Sequence, residues 1–189
     1  MTDSSLAPHQ LSEAAPVVLD HVGPLREVLG QLARLVDQLD DTAYNTKPVT
    51  TYGGSIGGHV RHCLDHVSAL LCGTHGDLID YEARERGTDI ETNPVSACSE
   101  LQRLDTALAE LPEDVGQLEV TTSILLTPSG PALKAPSSVA RELAFVLSHT
   151  IHHNAMIGGM AKALGSDVPA DFGMAPGTLE HQRKRQAQA

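Results

Sequence analysis

"SHTIHHNAMI", residues 148–157, places His149, His152 and His153 within five positions. It interrupts an apolar line that reads Val146, His149, His153, Met156, Met160, Leu164. That line steps by three and four, which is one face of an α-helix. Two histidines therefore stand on a core-facing stripe. A second stretch, "GGHVRHCLDHV" at 57–67, carries His59, His62 and His66. Six of the ten histidines thus fall in two short windows more than eighty residues apart. If both windows are helices of one bundle, their imidazoles can meet.

The rest of the chain is consistent with a bundle. Val18, Val22, Leu25, Leu29, Leu32, Val36 and Leu39 alternate steps of four and three, a heptad-like stripe suited to lengthwise helix packing. Gly23-Pro24 falls inside it, so this helix kinks or starts there. Helix two is expected from the cap Ser55 to about Cys72, with Ile56, Val60, Cys63, Val67 and Leu71 inward. Asn93 as cap and Pro94 at the first position open helix three, which Pro112 ends. Ser137 or Ser138 caps a long helix four to about Leu164. Between helices three and four, "LEVTTSILLTPSGPALKAPSS" has strand composition around a turn, a short hairpin. The fold class is all-α, a four-helix bundle with one long connection and that hairpin. Residues 1–14 read as a disordered lead and 15–170 as the bundle. Residues 171–189 read as a trailing loop with a basic tail, and 73–93 as polar and irregular.

Bulk properties exclude several functions. The 189 residues suit one domain. The formal net charge is −11 and aromatic content only 3%, so nucleic acid and anionic membranes are not expected as partners. No apolar run reaches the length of a membrane span, and the first residues lack a signal-peptide pattern. Cytoplasmic residence is the resulting expectation. Cys63, Cys72 and Cys98 are an odd set, expected as free thiols.

On an ideal helix His149 and His153 lie about 40° apart, one above the other, while His152 lies about 100° from His153. His152 is therefore expected to be exposed or to support a ligand. His59, His62 and His66 fall within an arc of about 60°. Periodicity puts His59 and His66 nearer the apolar centre than His62 and does not choose among them. Buried imidazoles need partners, and several gathered at one point are best served by a cation. A histidine-lined polar pocket and plain surface clusters are the competing readings. Glu142, two turns before His149, is either a base reaching the site or a solvated first-turn carboxylate favouring the helix N-terminus. Arg84 and Arg86 in "IDYEARERG" could clamp an acidic substrate, or sit on a mixed-charge surface loop. Cys63 faces the core and reads as a structural thiol. Gly57 and Gly58 suggest a close approach of backbone or ligand to helix two.

The two histidine windows resemble the DinB/YfiT-like superfamily. "SIGGHVRH" at 55–62 resembles its Ser-Ile opening of helix two with a histidine at the end. Val60 stands one position later than in that pattern. "HTIHHNAMI" at 149–157 resembles its His-x-x-x-His on the last helix. The resemblance implies a four-helix bundle in which His62, His149 and His153 hold a divalent metal, with Zn, Ni, Fe and Mn all compatible. His59, His66 and His152 are extra to the pattern and are alternative or supporting ligands. The resemblance also implies a small-molecule substrate and a homodimer. It points to transfer of a low-molecular-weight thiol, such as bacillithiol or mycothiol, with metal-dependent hydrolysis as the alternative. A non-enzymatic metal-binding stress or accessory protein is the third.

Overall fold

The computed structural model describes residues 20–48, 53–85 and 87–188. The lead at 1–14, Val18 and Arg86 lie outside the described residues. Four long helices form the bundle: α1 (Gly23–Val36), α3 (Ile56–Gly76), α4 (Pro94–Ala109) and α5 (Val139–Ala163). α1 packs on α4 and α5, and α3 packs on the same two. The helices therefore ring one core, in which Leu25, Leu32, Val60, Val67, Leu104 and Val146 are fully buried. No helix among the described residues is long and apolar enough to cross a membrane.

Local chemistry sets the helix starts. Ser55 Oγ accepts from the Gly58 amide at 3.1 Å. Asn93 Oδ1 accepts from Val95 and Ser96, and Ser138 Oγ from Arg141. Each satisfies a first-turn N–H that has no partner inside its own helix. At α1 the alternatives resolve: the helix starts at Gly23-Pro24. Asp20 stands before it and accepts from the Val22 and Gly23 amides. Those two bonds hold its carboxyl below the usual carboxylate range. α1 stops at Val36, short of Leu39, which stays buried in the following turn. α3 runs one turn past Cys72 and ends on Asp77 in the left-handed region (φ 60°).

The connection between α4 and α5 is a hairpin of β2 (Glu119–Leu125) and β3 (Ala132–Ser138), paired from Glu119↔Ser138 to Leu125↔Ala132. A third strand, β1 (Leu78–Asp80), pairs parallel with β2. It corrects the reading of 73–93 as irregular: three residues are too few to show alternation, and the partner lies some forty residues on. Two further helices were not expected. α2 (Asp41–Asn45) is one turn capped by Asp40. α6 (Pro176–Gln186) corrects the reading of 171–189 as loop and tail. Its sequence carries no apolar stripe, but Pro opens it, strong helix formers fill it, and Lys184 pairs with Glu180 one turn back.

Gly57 answers the question posed by the glycine pair. A side chain there would collide with the Glu91 carbonyl and the Tyr44 ring. The neighbour is thus protein backbone, brought in by a 3-10 turn at Asp89–Glu91 and held by Tyr44 Oη donating to Ile90 O at 2.8 Å. Gly57→Ala is expected to lose about 1–2 kcal/mol in chemical denaturation, because overpacking against backbone outweighs the better helix propensity of Ala. An unchanged midpoint would show that the 89–91 turn yields freely.

Candidate metal centre

α3 and α5 pack side by side, and their histidine faces meet between them. His62, His149 and His153 each bring a ring nitrogen within 4.8 Å of the other two. His149 Nε2 lies 2.9 Å from His62 Nε2. Ring centroids are 4.9 Å apart for His62–His149, 4.7 Å for His62–His153 and 4.6 Å for His149–His153. Two ring nitrogens at hydrogen-bond distance need a proton or a cation between them, since two lone pairs repel. Burial, reinforced by the neighbouring rings, pushes His62 and His153 down to about 3 and His149 to about 4. The rings are therefore neutral at neutral pH and have lone pairs to give. Three converging neutral imidazoles fit a first-row divalent ion, and the three lie close enough to hold one.

The remaining histidines divide by position. His66 is buried, and its Nδ1 lies 2.9 Å from His62 O. A carbonyl only accepts, so Nδ1 carries the proton. The ring is sandwiched between His149 (4.2 Å, 30°) and Tyr81 (5.2 Å, 24°). His59 Nδ1 lies 3.0 Å from His153 Nδ1, and burial lowers its pKa too. His152 is exposed and meets only the edge of His153.

Glu142 is not a solvated first-turn carboxylate; it is fully buried. Oε2 accepts from Tyr81 Oη at 2.7 Å, and Oε1 from Ser137 Oγ at 2.5 Å and Arg141 Nη1 at 2.7 Å. Its burial follows from β1, which carries Tyr81 over the first turn of α5. Burial, and next the Glu142 carboxylate, hold the Tyr81 phenol far above its ordinary range, so it stays a donor. The candidate base is thus placed behind Tyr81, which stacks on His66. Cys63 is fully buried, its thiol pushed up to about 12 by burial. Among the described residues all three cysteines are free.

Arg84 is half-buried and pairs with Glu82 at a long 3.5 Å. Its charge adds a smaller share, after burial, to the lowering of His62 and His66. Arg61, by contrast, is taken up by Asp65 at 2.5 Å and Glu91 at 3.1 Å. Two neighbours were not anticipated from sequence: Tyr81, and Phe145, which stacks on His149 at 5.8 Å and 24°. Rarity was the available signal. The chain has five Tyr and Phe, 3 and 2 respectively, and two of them pack on this cluster.

Residues 25–157 match the family model of the DinB superfamily, and the chain belongs to that superfamily. Its fold is similar to that of a DinB-like protein (YjoA) from Bacillus subtilis: TM-score 0.59, 17% identity, 80% of this chain and 96% of that one. A curated relative, FK506-binding protein 5 of Rhizopus delemar, is 28% identical over 166 residues. The match takes in 85% of this chain but only 38% of that protein's length.

Proposed function

We propose that the chain is a metal-dependent enzyme. His62, His149 and His153 hold a divalent ion, and a low-molecular-weight thiol is transferred to a small electrophile. One observation carries the reading: three neutral imidazole nitrogens converge, and among the described residues the set stops at three. Structural zinc sites close with four protein donors, whereas catalytic sites use three and keep a position for water or substrate. A bound divalent ion supplies Lewis acidity there and lowers the pKa of a thiol or water brought beside it.

The protein's own thiols are poor candidates for the nucleophile. Cys63 is sealed in the core and protonated, Cys72 is exposed at the far end of α3, and Cys98 lies on α4 against Ala33 O, its thiol raised by burial. The sulfur therefore comes from a cosubstrate. In the transfer, sulfur bonds to the electrophilic carbon, the leaving group takes the electron pair, and the thiol proton passes to solvent. Arg84 binds an anionic group of the thiol or acceptor with the donors its long contact to Glu82 leaves free. Hydrolysis is the second choice, because Glu142 already accepts three hydrogen bonds, and Asp65 and Glu82, the carboxylates whose charges act on His66, are paired with Arg61 and Arg84.

The test loads the protein with Zn, Ni, Fe and Mn in turn. Each form is offered cysteine, glutathione, bacillithiol or mycothiol with an aryl halide, and separately an activated ester. Thiol-dependent turnover that disappears in His149→Ala supports the reading. Ester hydrolysis without thiol moves the assignment to hydrolase. Bound metal with neither activity leaves a metal-binding accessory protein. Arg84→Gln is expected to raise KM for an anionic thiol by about tenfold with kcat little changed, as for uniform binding.

A further inference from the structure

We propose that His59 is a positioning residue for His153: it accepts a hydrogen bond from His153 Nδ1–H and turns the opposite nitrogen of that ring toward His62 and His149. The inference rests on the metal reading above. The two Nδ1 atoms lie 3.0 Å apart, with the rings tilted at 38°. Two uncharged imidazoles approach so closely only with a proton or a cation between the nitrogens, and His59 stands outside the converging set, which leaves the proton. If His59 were the donor, the His153 proton would sit on Nε2. With Nδ1 taken up by His59, Nε2 is the nitrogen left for the point shared with His62 and His149, and it would then offer an N–H, not a lone pair. Only with His153 as donor is its Nε2 free to bind a cation. Metal-bound histidines are commonly held in this way, by a partner that takes the proton of the other nitrogen.

Geometry separates this role from direct ligation. The residues whose ring nitrogens all lie within 4.8 Å of one another are His62, His149 and His153, without His59. The helix supplies the rest. His59 and His62 are three residues apart on α3, so one turn presents a ligand and, beside it, the partner for a ligand on the facing helix. The assignment leaves the His59 proton on Nε2, which is buried and has no partner among the described residues.

The test uses Co(II) as probe on the full chain. Affinity is measured by chelator competition, coordination by the visible d–d spectrum, and folding by apo-protein melting. His59→Ala and His59→Phe are each expected to weaken Co(II) by about 10- to 100-fold with the same d–d bands. His59→Gln, whose amide oxygen can accept the same proton, is expected to recover to within roughly threefold of wild type. Phe keeps ring volume, so its loss separates hydrogen bonding from packing even where Ala melts early. Wild-type affinity in the Phe variant would overturn the proposal. So would a changed d–d spectrum, which would make His59 a ligand itself. A wild type that binds no Co(II) overturns the metal reading instead, and that result is visible before any variant is made.

Discussion

His62→Ala and His149→Ala are each expected to reduce divalent-metal affinity by more than about 100-fold, the loss of a ligand exceeding the 10- to 100-fold typical of losing a ligand's supporting partner. Each removes one of three converging nitrogens and leaves two, from opposite helices or from α5 alone. His152→Ala is the matched control, because His152 is exposed and its ring packs at the edge of His153. Chelator competition and metal content by mass spectrometry read the effect. The same argument predicts the result of stripping metal from wild type. A ligand at 100 times its Kd stabilises the folded state by about 2.7 kcal/mol. For a chain of this size that is a rise of roughly 5–10 °C in Tm over the stripped protein. In His62→Ala that increment should vanish while the apo Tm stays near wild type. Retention of one metal per chain in both variants would sink the three-histidine site.

The sequence was most legible where structure is made by neighbours in the chain. Ser55, Asn93 and Ser138 cap helices because their side chains reach amides two or three residues on. The hairpin was visible because its turn is local. The helix-two histidines show where that legibility ends. Periodicity ranked His59 and His66 as more central, and for burial it was right about His66, which is 7% exposed. Converging on α5 is a different matter. α3 packs against both α4 and α5, so the middle of its apolar stripe points between them. All three α3 histidines meet rings of α5, but of the three only His62 brings a nitrogen into the set shared with His149 and His153. Which flank faces which neighbour depends on bundle order, and periodicity along one helix does not encode it. β1, and through it Tyr81, escaped for the same reason: both are placed by pairing with residues some forty positions away. α6 escaped for the opposite reason, since it buries no residue and so leaves no stripe.

Glu142→Ala is expected to destabilise the protein by about 3–5 kcal/mol, the range for emptying a packed buried site and stranding buried donors. The carboxylate is wholly buried and joins three pieces of the fold: Tyr81 after β1, Ser137 at the end of β3, and α5 itself. Deleting it strands the buried Tyr81 hydroxyl without its acceptor, while half-buried Ser137 can turn to water. Arg141 loses little, because its side chain is 64% exposed and water can take over. At roughly 2–4 °C per kcal/mol for a domain of this size, Tm should fall by about 6–20 °C. A fall of under about 1 kcal/mol would show that water fills the site and that the network is dispensable. Tyr81→Phe separates stability from function. It removes one hydrogen bond to a charged acceptor, for about 1.5–3 kcal/mol, but keeps the ring that stacks on His66. His66 in turn lies against His149, so with the stack intact Co(II) affinity should stay within roughly threefold of wild type. Glu142→Ala frees the Tyr81 ring to move, and affinity should fall with stability. If Tyr81→Phe weakened metal binding as much as Glu142→Ala does, the hydroxyl–carboxylate bond, and not the stacked rings, would be what holds His149 in place.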